Sequence, residues 1–399
     1  MKKSIILSVF GGLLLATSLQ AQTHIYVSGS TAFRSNAYRA IRSLYDAGFS
    51  ENEGALTGTV DAPTTNNSGA GVMTWSGTMS TVSNLNSAGT VVIHASWTGS
   101  VQGIHNVTTG ESLNFLANGT QGDTNVVSHA SDMCFSDVYQ SSSPYGTPVL
   151  NDTNVAIQPF VYVLGKGTGP GQNVNNVTIQ QLQQAIGDGV EKLSYFTGNT
   201  NDANAYAFLT GRTKDSGTRV TQIADGLYIG GVNLYQGNGT TATKMTANQV
   251  VNFVNYGPGF TSGGNMVGNL VLGAGTNALI GYVGVADALT AAGAGCKILS
   301  YNGEYCFPWT NGVSTTNAFY TAGSSPDYSS VITGKYSFWG PEHVLVKSTG
   351  SAAAQALWAA LPPAIDNDLT NATVVPVTAI RLSAMGTTGR GFDGGPIHP

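Results

Sequence analysis

The chain has 399 residues, 41% of them hydrophobic, which is enough for two domains, yet only 9% are charged and the formal net charge is −5. A typical soluble protein carries about 25% charged residues, so the polar surface here must be built from Asn, Thr, Ser and Gly, as suits an extracytoplasmic protein. The acidic balance argues against nucleic acid or an anionic membrane surface as partner, since both select basic patches.

In chain order, residues 1–22 read as a signal peptide: Lys2 and Lys3 form a positive start, residues 5–15 an apolar stretch, and Leu19-Gln20-Ala21 a cleavage site. No later stretch reaches about 18 consecutive apolar residues. The first cysteine is Cys134, so lipid attachment near the cleavage point is not available. The expected location is periplasmic or secreted. A secreted β-rich or adhesive surface protein has the same composition.

Short apolar runs predict strands over 24–27, 91–96, 126–130, 157–164, 206–209, 279–285 and 343–346. Helical spacing predicts helices over 32–47, over 179–186 behind a Thr178 cap, around 220–227, and over 352–361, stopping at Pro362-Pro363. Strands alternating with helices imply an α/β fold. Residues 51–86 and 230–264 read as long excursions, the first an inserted hairpin or loop around the turn cluster 66–71. There is no internal repeat.

His24, His94, His105, His129, His343 and His398 lack metal-ligand spacing, so no metal is expected. Asn302-Gly303 is a tight-turn signal that would let Cys296 and Cys306 face each other across a hairpin, leaving Cys134 unpaired. Free buried cysteines fit the sequence equally well.

The segment richest in chemistry is Gly211-Arg212-Thr213-Lys214-Asp215-Ser216-Gly217-Thr218-Arg219, which follows a strand and opens a helix. A helix start has unpaired N–H groups and the positive end of the dipole. Ser216 and Thr218 add hydroxyls, Gly217 admits close approach, and Arg212 offers a fork of donors for two oxyanion oxygens. A capped helix start with a solvent-facing arginine would look the same. Val27-Ser28-Gly29-Ser30-Thr31-Ala32-Phe33 repeats the strand, small polar turn and helix, with Ser30 as a cap and Ser30 and Thr31 as donors.

The first of these segments resembles the Arg-x-x-x-Ser-Gly-Thr anion loop of periplasmic phosphate-binding proteins. Pro159-Phe160-Val161-Tyr162-Val163, Val177-Thr178-Ile179-Gln180-Gln181-Leu182, Ile280-Gly281-Tyr282-Val283-Gly284-Val285-Ala286-Asp287 and Ile332-Thr333-Gly334-Lys335-Tyr336-Ser337-Phe338-Trp339 follow the same family order. The resemblance implies a two-lobed type II periplasmic-binding fold, with two interlobe crossovers and a ligand cleft. Lobe 1 is expected over 23–158 and 289–399 and lobe 2 over 159–288. It also implies a phosphate site made of Ser30, Thr31, Ser100, Asp132, Arg212, Ser216, Gly217 and Thr218, with Ser100 at a second serine-bearing helix start and Asp132 accepting the ligand's proton.

An aspartate there would admit phosphate or arsenate, which carry a proton, and repel sulfate, which does not. The implied partners are phosphate or a related oxyanion and an ABC transporter permease. A monomer without cofactor is expected. An enzyme is not expected, because the chain has no Gly-x-Ser-x-Gly elbow, Walker loop or His-Glu-x-x-His. The alternative is an extracellular scaffold or attachment protein that keeps the fold with a changed ligand.

Overall fold

Most of the apolar runs become strands that are buried on both faces, whereas Val126–Ala130 forms a largely exposed strand. The computed structural model describes residues 22–54, 71–228, 230–246, 250–251, 254–255, 258–309, 327–371 and 377–398; residues 1–21 of the expected signal peptide lie outside them. In chain order the first lobe contains β1 (Thr23–Gly29), α1 (Arg34–Ser43), β2 (Ser50–Gly54), β3 (Val72–Gly77), β4 (Val91–Ser96), α2 (Ser100–Thr109), β5 (Ser112–Leu116), β6 (Val126–Ala130) and β7 (Met133–Ser136). β1 runs parallel to β4 on one side and to β7 on the other. The first excursion is anchored by β2 and β3, which pair antiparallel and extend this sheet beyond β4.

The crossing between lobes is itself a strand. In β8 (Asn151–Leu164) every residue from Val155 to Leu164 is buried. The second lobe adds α3 (Ile179–Ala185), β9 (Val190–Lys192), β10 (Tyr206–Leu209), α4 (Gly217–Asp225), α5 (Gly263–Leu272), β11 (Ala278–Gly284) and α6 (Val285–Gly293). The chain returns through β12 (Trp339–Val346) to α7 (Ala352–Asn371). β12 pairs antiparallel with β7 and with the first half of β8, whose second half pairs with β11. One sheet path therefore runs through both lobes, and the type II architecture follows from β8 and β12 being shared.

The hydrophobic cores divide at these two strands. Ala156 belongs to the first core and Ile157 to the second; on the return, Trp339 belongs to the second and Val344 to the first. The cores change over between Ala156 and Ile157 on the way out and between Trp339 and Val344 on the return. Ala291, Ile298, Leu299, Tyr301, Tyr336 and Phe338 all pack in the second core, because Lys297–Ile298 adds to β8 instead of leaving the lobe.

Local rules hold in some places and yield in others. Thr178 and Gln181 form a reciprocal capping box at α3. α7, by contrast, does not stop at its prolines: Pro362 and Pro363 lie inside it. Two lost N–H donors weaken that turn, and the burial of Leu357, Leu361, Ile365 and Leu369 against the first core offsets the loss. Asn302-Gly303 does turn, with Tyr301 and Glu304 bridged, but the arm before it pairs elsewhere, Lys297–Ile298 with β8 and Ser300–Tyr301 with Asn176–Val177. Cys296 and Cys306 are consequently not joined, and these two and Cys134 are free and buried.

Residues 377–398 run over both lobes. Arg390 is buried, donates to Asp225 Oδ1 (2.9 Å), the Trp339 carbonyl (3.0 Å) and the Ser337 carbonyl, and lies 4.5 Å from the Trp339 ring centroid. The Tyr139 N–H of the first lobe donates to Asp393 Oδ2 (2.9 Å). Burial pushes the Asp393 carboxyl up to about 6, against weaker opposing pulls from Ser142, the Tyr139 N–H and His343. A carboxyl whose folded value lies above its unfolded value binds more protons when folded, so stability falls as pH rises between about 4 and about 6. Asp393→Asn keeps the acceptor for Tyr139 and removes the charge. We expect it to stabilise the protein by about 2 kcal/mol near pH 7.5, with the gain vanishing toward pH 4, in thermal unfolding.

Candidate functional site

Parallel strands in both lobes end at the interlobe cleft, which is where open α/β sheets place their ligands. From the first lobe, β1 leads to Ser30 and Thr31, β4 to the start of α2 at Ser100, and β7 to Asp137. From the second, β10 leads to Arg212 and the start of α4, and parallel β11 leads to Asp287 at the start of α6. Short polar turns after buried strands suffice to put all these side chains on one rim.

Donors and acceptors from the two lobes interlock across the cleft. Arg212 is 1% exposed. Its Nε donates to the Phe260 carbonyl (3.0 Å), and its Nη2 donates to the Thr261 carbonyl (2.9 Å) and, across the cleft, to Thr31 Oγ1 (2.9 Å). The Val101 and Gln102 N–H groups, at the start of α2, donate to the Asp215 carbonyl of the anion loop at 3.2 and 3.4 Å. The positive end of α2 is thus satisfied by the other lobe.

Asp137 is the centre of the arrangement. Its Oδ1 accepts from Ser100 Oγ, and its Oδ2 accepts from Thr218 Oγ1 (3.3 Å), so one carboxylate joins helix starts of both lobes. A Cβ on Gly217 would fall 1.7 Å from Asp137 Oδ1, which only glycine at that position permits. Burial raises the Asp137 pKa; the Ser100 hydroxyl, the Arg212 charge and the Thr218 hydroxyl oppose it. Ser216 Oγ is buried and has no hydrogen-bond partner among the described residues.

Of the residues singled out in the sequence, Ser30, Thr31, Ser100, Arg212, Ser216, Gly217 and Thr218 come together in this cleft, all but Gly217 through side chains that are at most 7% exposed. Ser30 Oγ accepts from the Phe33 N–H (3.2 Å), and helix α1 begins after Phe33, later than a Ser30 cap implies.

Asp132 does not join them. It precedes β7, and its Oδ2 accepts from the Tyr26 N–H (2.8 Å), with His129 and Lys347 as its basic neighbours. A four-residue strand separates it from Asp137, so it lies at the opposite end of β7, about 16 Å away along the chain. The sequence has two Ser-Asp dipeptides, Ser131-Asp132 and Ser136-Asp137, on either side of the buried run Met133–Ser136. The one after the strand reaches the ligand edge, and that order was the available signal.

Three further ionisable groups, none of them singled out in the sequence, reach the same region. Arg34 begins α1, and its buried Nε has no hydrogen-bond partner among the described residues; it faces Asp287 and Arg212 electrostatically. Burial raises Asp287, opposed by Arg34 and Arg212. Glu342 on β12 is fully buried beside Ser30.

Elsewhere, His24, His94 and His129 gather around Tyr26, with the His24 and His94 rings hydrogen-bonded at 2.9 Å. Among the described residues no group of three or more His, Cys, Asp or Glu side chains could hold a metal ion, and no helix is long and apolar enough to cross a membrane.

No protein-family model and no curated protein matches the chain. Solved structures do. A candidate phosphate ABC transporter substrate-binding protein from Clostridium perfringens, with bound phosphate, is 13% identical with a TM-score of 0.49, covering 90% of this chain and all of its own. An ABC-type phosphate transport receptor from Vibrio cholerae is 13% identical with a TM-score of 0.41, over 89% of this chain and 100% of its own. A possible phosphate-binding protein from Planctomyces limnophilus is 12% identical with a TM-score of 0.41, over 92% of this chain and 96% of its own.

Proposed function

We propose that this protein is an extracytoplasmic solute-binding protein that captures inorganic phosphate, or a similar tetrahedral oxyanion, between its lobes and delivers it to an ABC transporter permease. The observation that carries the reading is the convergence, at one interlobe point, of the Arg212 fork, the hydroxyls of Thr31, Ser100, Ser216 and Thr218, and the carboxylate of Asp137. Arg212 supplies the positive charge, while the start of α4 supplies N–H groups. Asp137 takes the selective role first expected of Asp132. With its pKa raised by burial, it can accept the proton of phosphate, and when ionised it repels sulfate.

Binding requires no covalent chemistry and no cofactor in this reading. Ser216 Oγ has no hydrogen-bond partner among the described residues, so no general base is in place to take its proton. A second reading is favoured by one observation: Asp137 already satisfies Ser100 and Thr218, as a scaffold protein that had lost its ligand would require. Calorimetry on ligand-stripped protein separates the two, since heat on adding phosphate or arsenate but not sulfate supports the transport reading, and no heat with any of them supports the scaffold.

Two sets of variants test the assignment. Arg212→Ala should weaken phosphate binding by about 2–5 kcal/mol, because a buried anion loses its charged partner; unchanged affinity would remove Arg212 from the site. Asp137→Asn adds a donor where there was only an acceptor, so it should raise sulfate affinity relative to phosphate. Asp132→Asn should leave both affinities as they are. The reverse pattern between the two aspartates, measured by the same titrations, would return the selective role to Asp132.

A further inference from the structure

Glu342 occupies a position that the proposed phosphate chemistry does not by itself require. It lies on the returning strand β12, immediately before the register shift against β8, and it is fully buried. Its Oε2 is 3.4 Å from Ser30 Oγ, and its Oε1 has no hydrogen-bond partner among the described residues. None of the ion pairs among the described residues includes it.

The ionisable groups around it are acids or weak acids. Asp137 faces it from the end of β7, and Cys134 faces it from within β7. Arg212 and Asp393 act on Asp137 rather than on Glu342, and the adjacent His343 turns to Asp152 at 2.8 Å. A carboxyl with one unsatisfied buried oxygen and an acid for a neighbour is held in its neutral form. Consistent with that surrounding, burial and then the Asp137 charge push Glu342 well above the usual carboxylate range.

The protonation of Glu342 decides what Ser30 can do. Ser30 Oγ already accepts from the Phe33 N–H. An ionised Glu342 can only accept, so it takes the single hydroxyl proton of Ser30 and leaves none for a ligand. A neutral Glu342 donates its own proton to Ser30 Oγ and leaves the hydroxyl proton to the cleft.

We propose that Glu342 is a positioning residue of the oxyanion site, a neutral carboxylic acid that donates to Ser30 Oγ and so turns the Ser30 hydroxyl toward a bound oxyanion. The inference rests on the phosphate-binding reading above. Its consequence is a proton linkage: above the pH at which Glu342 ionises, binding an oxyanion takes up a proton from solvent, and affinity falls, by at most about tenfold per pH unit, toward that of Ser30→Ala.

The test is calorimetry of phosphate with wild type, Glu342→Gln and Ser30→Ala, from about pH 5 to about pH 10, each in two buffers of different ionisation enthalpy to count protons. The amide of Gln donates to Ser30 Oγ and cannot ionise. Phosphate's own titration affects all three proteins alike, so the ratios between them isolate Glu342.

The expected result is that Glu342→Gln matches wild type at low pH, gains on it progressively at high pH, and takes up one proton fewer there. Ser30→Ala should bind more weakly throughout and show no Glu342-linked alkaline loss. Parallel pH profiles for wild type and Glu342→Gln would overturn the linkage, and a wild-type alkaline loss retained in Ser30→Ala would overturn the route through Ser30. Phosphate binding with either of these outcomes leaves the phosphate reading intact, whereas no phosphate binding at any pH overturns both.

Discussion

The arrangement of this protein turns on one buried carboxylate. Asp137, at the end of a short strand in the first lobe, accepts hydroxyl hydrogen bonds from Ser100 in its own lobe and Thr218 in the other. A carboxylate removed from water is costly unless its lone pairs are filled. Here they are filled only when the two helix starts stand opposite each other, so the relative placement of the lobes and the satisfaction of Asp137 are the same event. Gly217 is the structural condition for it, because any side chain there would occupy the space of the carboxylate.

Charge is used sparingly on the surface and concentrated inside. In a chain with 9% charged residues, Arg212, Asp137, Glu342, Arg390, Asp225 and Asp393 are all buried at or beside the junction of the lobes. Arg390 holds the C-terminal end of α4 through Asp225, while the N-terminal end of the same helix begins at Gly217. The segment over both lobes and the proposed anion loop therefore act on one rigid element. Buried ionic groups of this kind add little net stability compared with apolar packing, but removing one partner leaves an uncompensated charge. Their value lies in fixing one geometry.

Much of this was legible in the sequence because short-range signals and long-range packing agree. The runs at Val91–Ser96 and Tyr206–Leu209 are mostly apolar and become strands buried except at Tyr206, and Gly211-Arg212 to Thr218 is a short local segment that carries its own donors. What failed did so where tertiary structure overrules local chemistry. Pro362-Pro363 reads as a helix stop, yet α7 buries enough apolar surface on both sides to pass through it. Residues 289–338 have no run of apolar residues that distinguishes one core from the other. Asp132 and Asp137 share a Ser-Asp dipeptide, and only strand direction separates them. Arg34 directly follows the Val27–Phe33 turn and Asp287 closes the Ile280–Asp287 segment, yet neither carries a local sign of its role, and Glu342 reaches the cleft from a distant strand.

The central claim is that the cleft binds a protonated tetrahedral oxyanion between the lobes. The most direct test is thermal unfolding of ligand-stripped protein with phosphate and with sulfate at matched ionic strength. A ligand that binds only the folded form raises the melting temperature in step with the logarithm of its concentration. The account predicts a concentration-dependent rise with phosphate and none with sulfate. Equal shifts with both anions, or no shift with either, would contradict it.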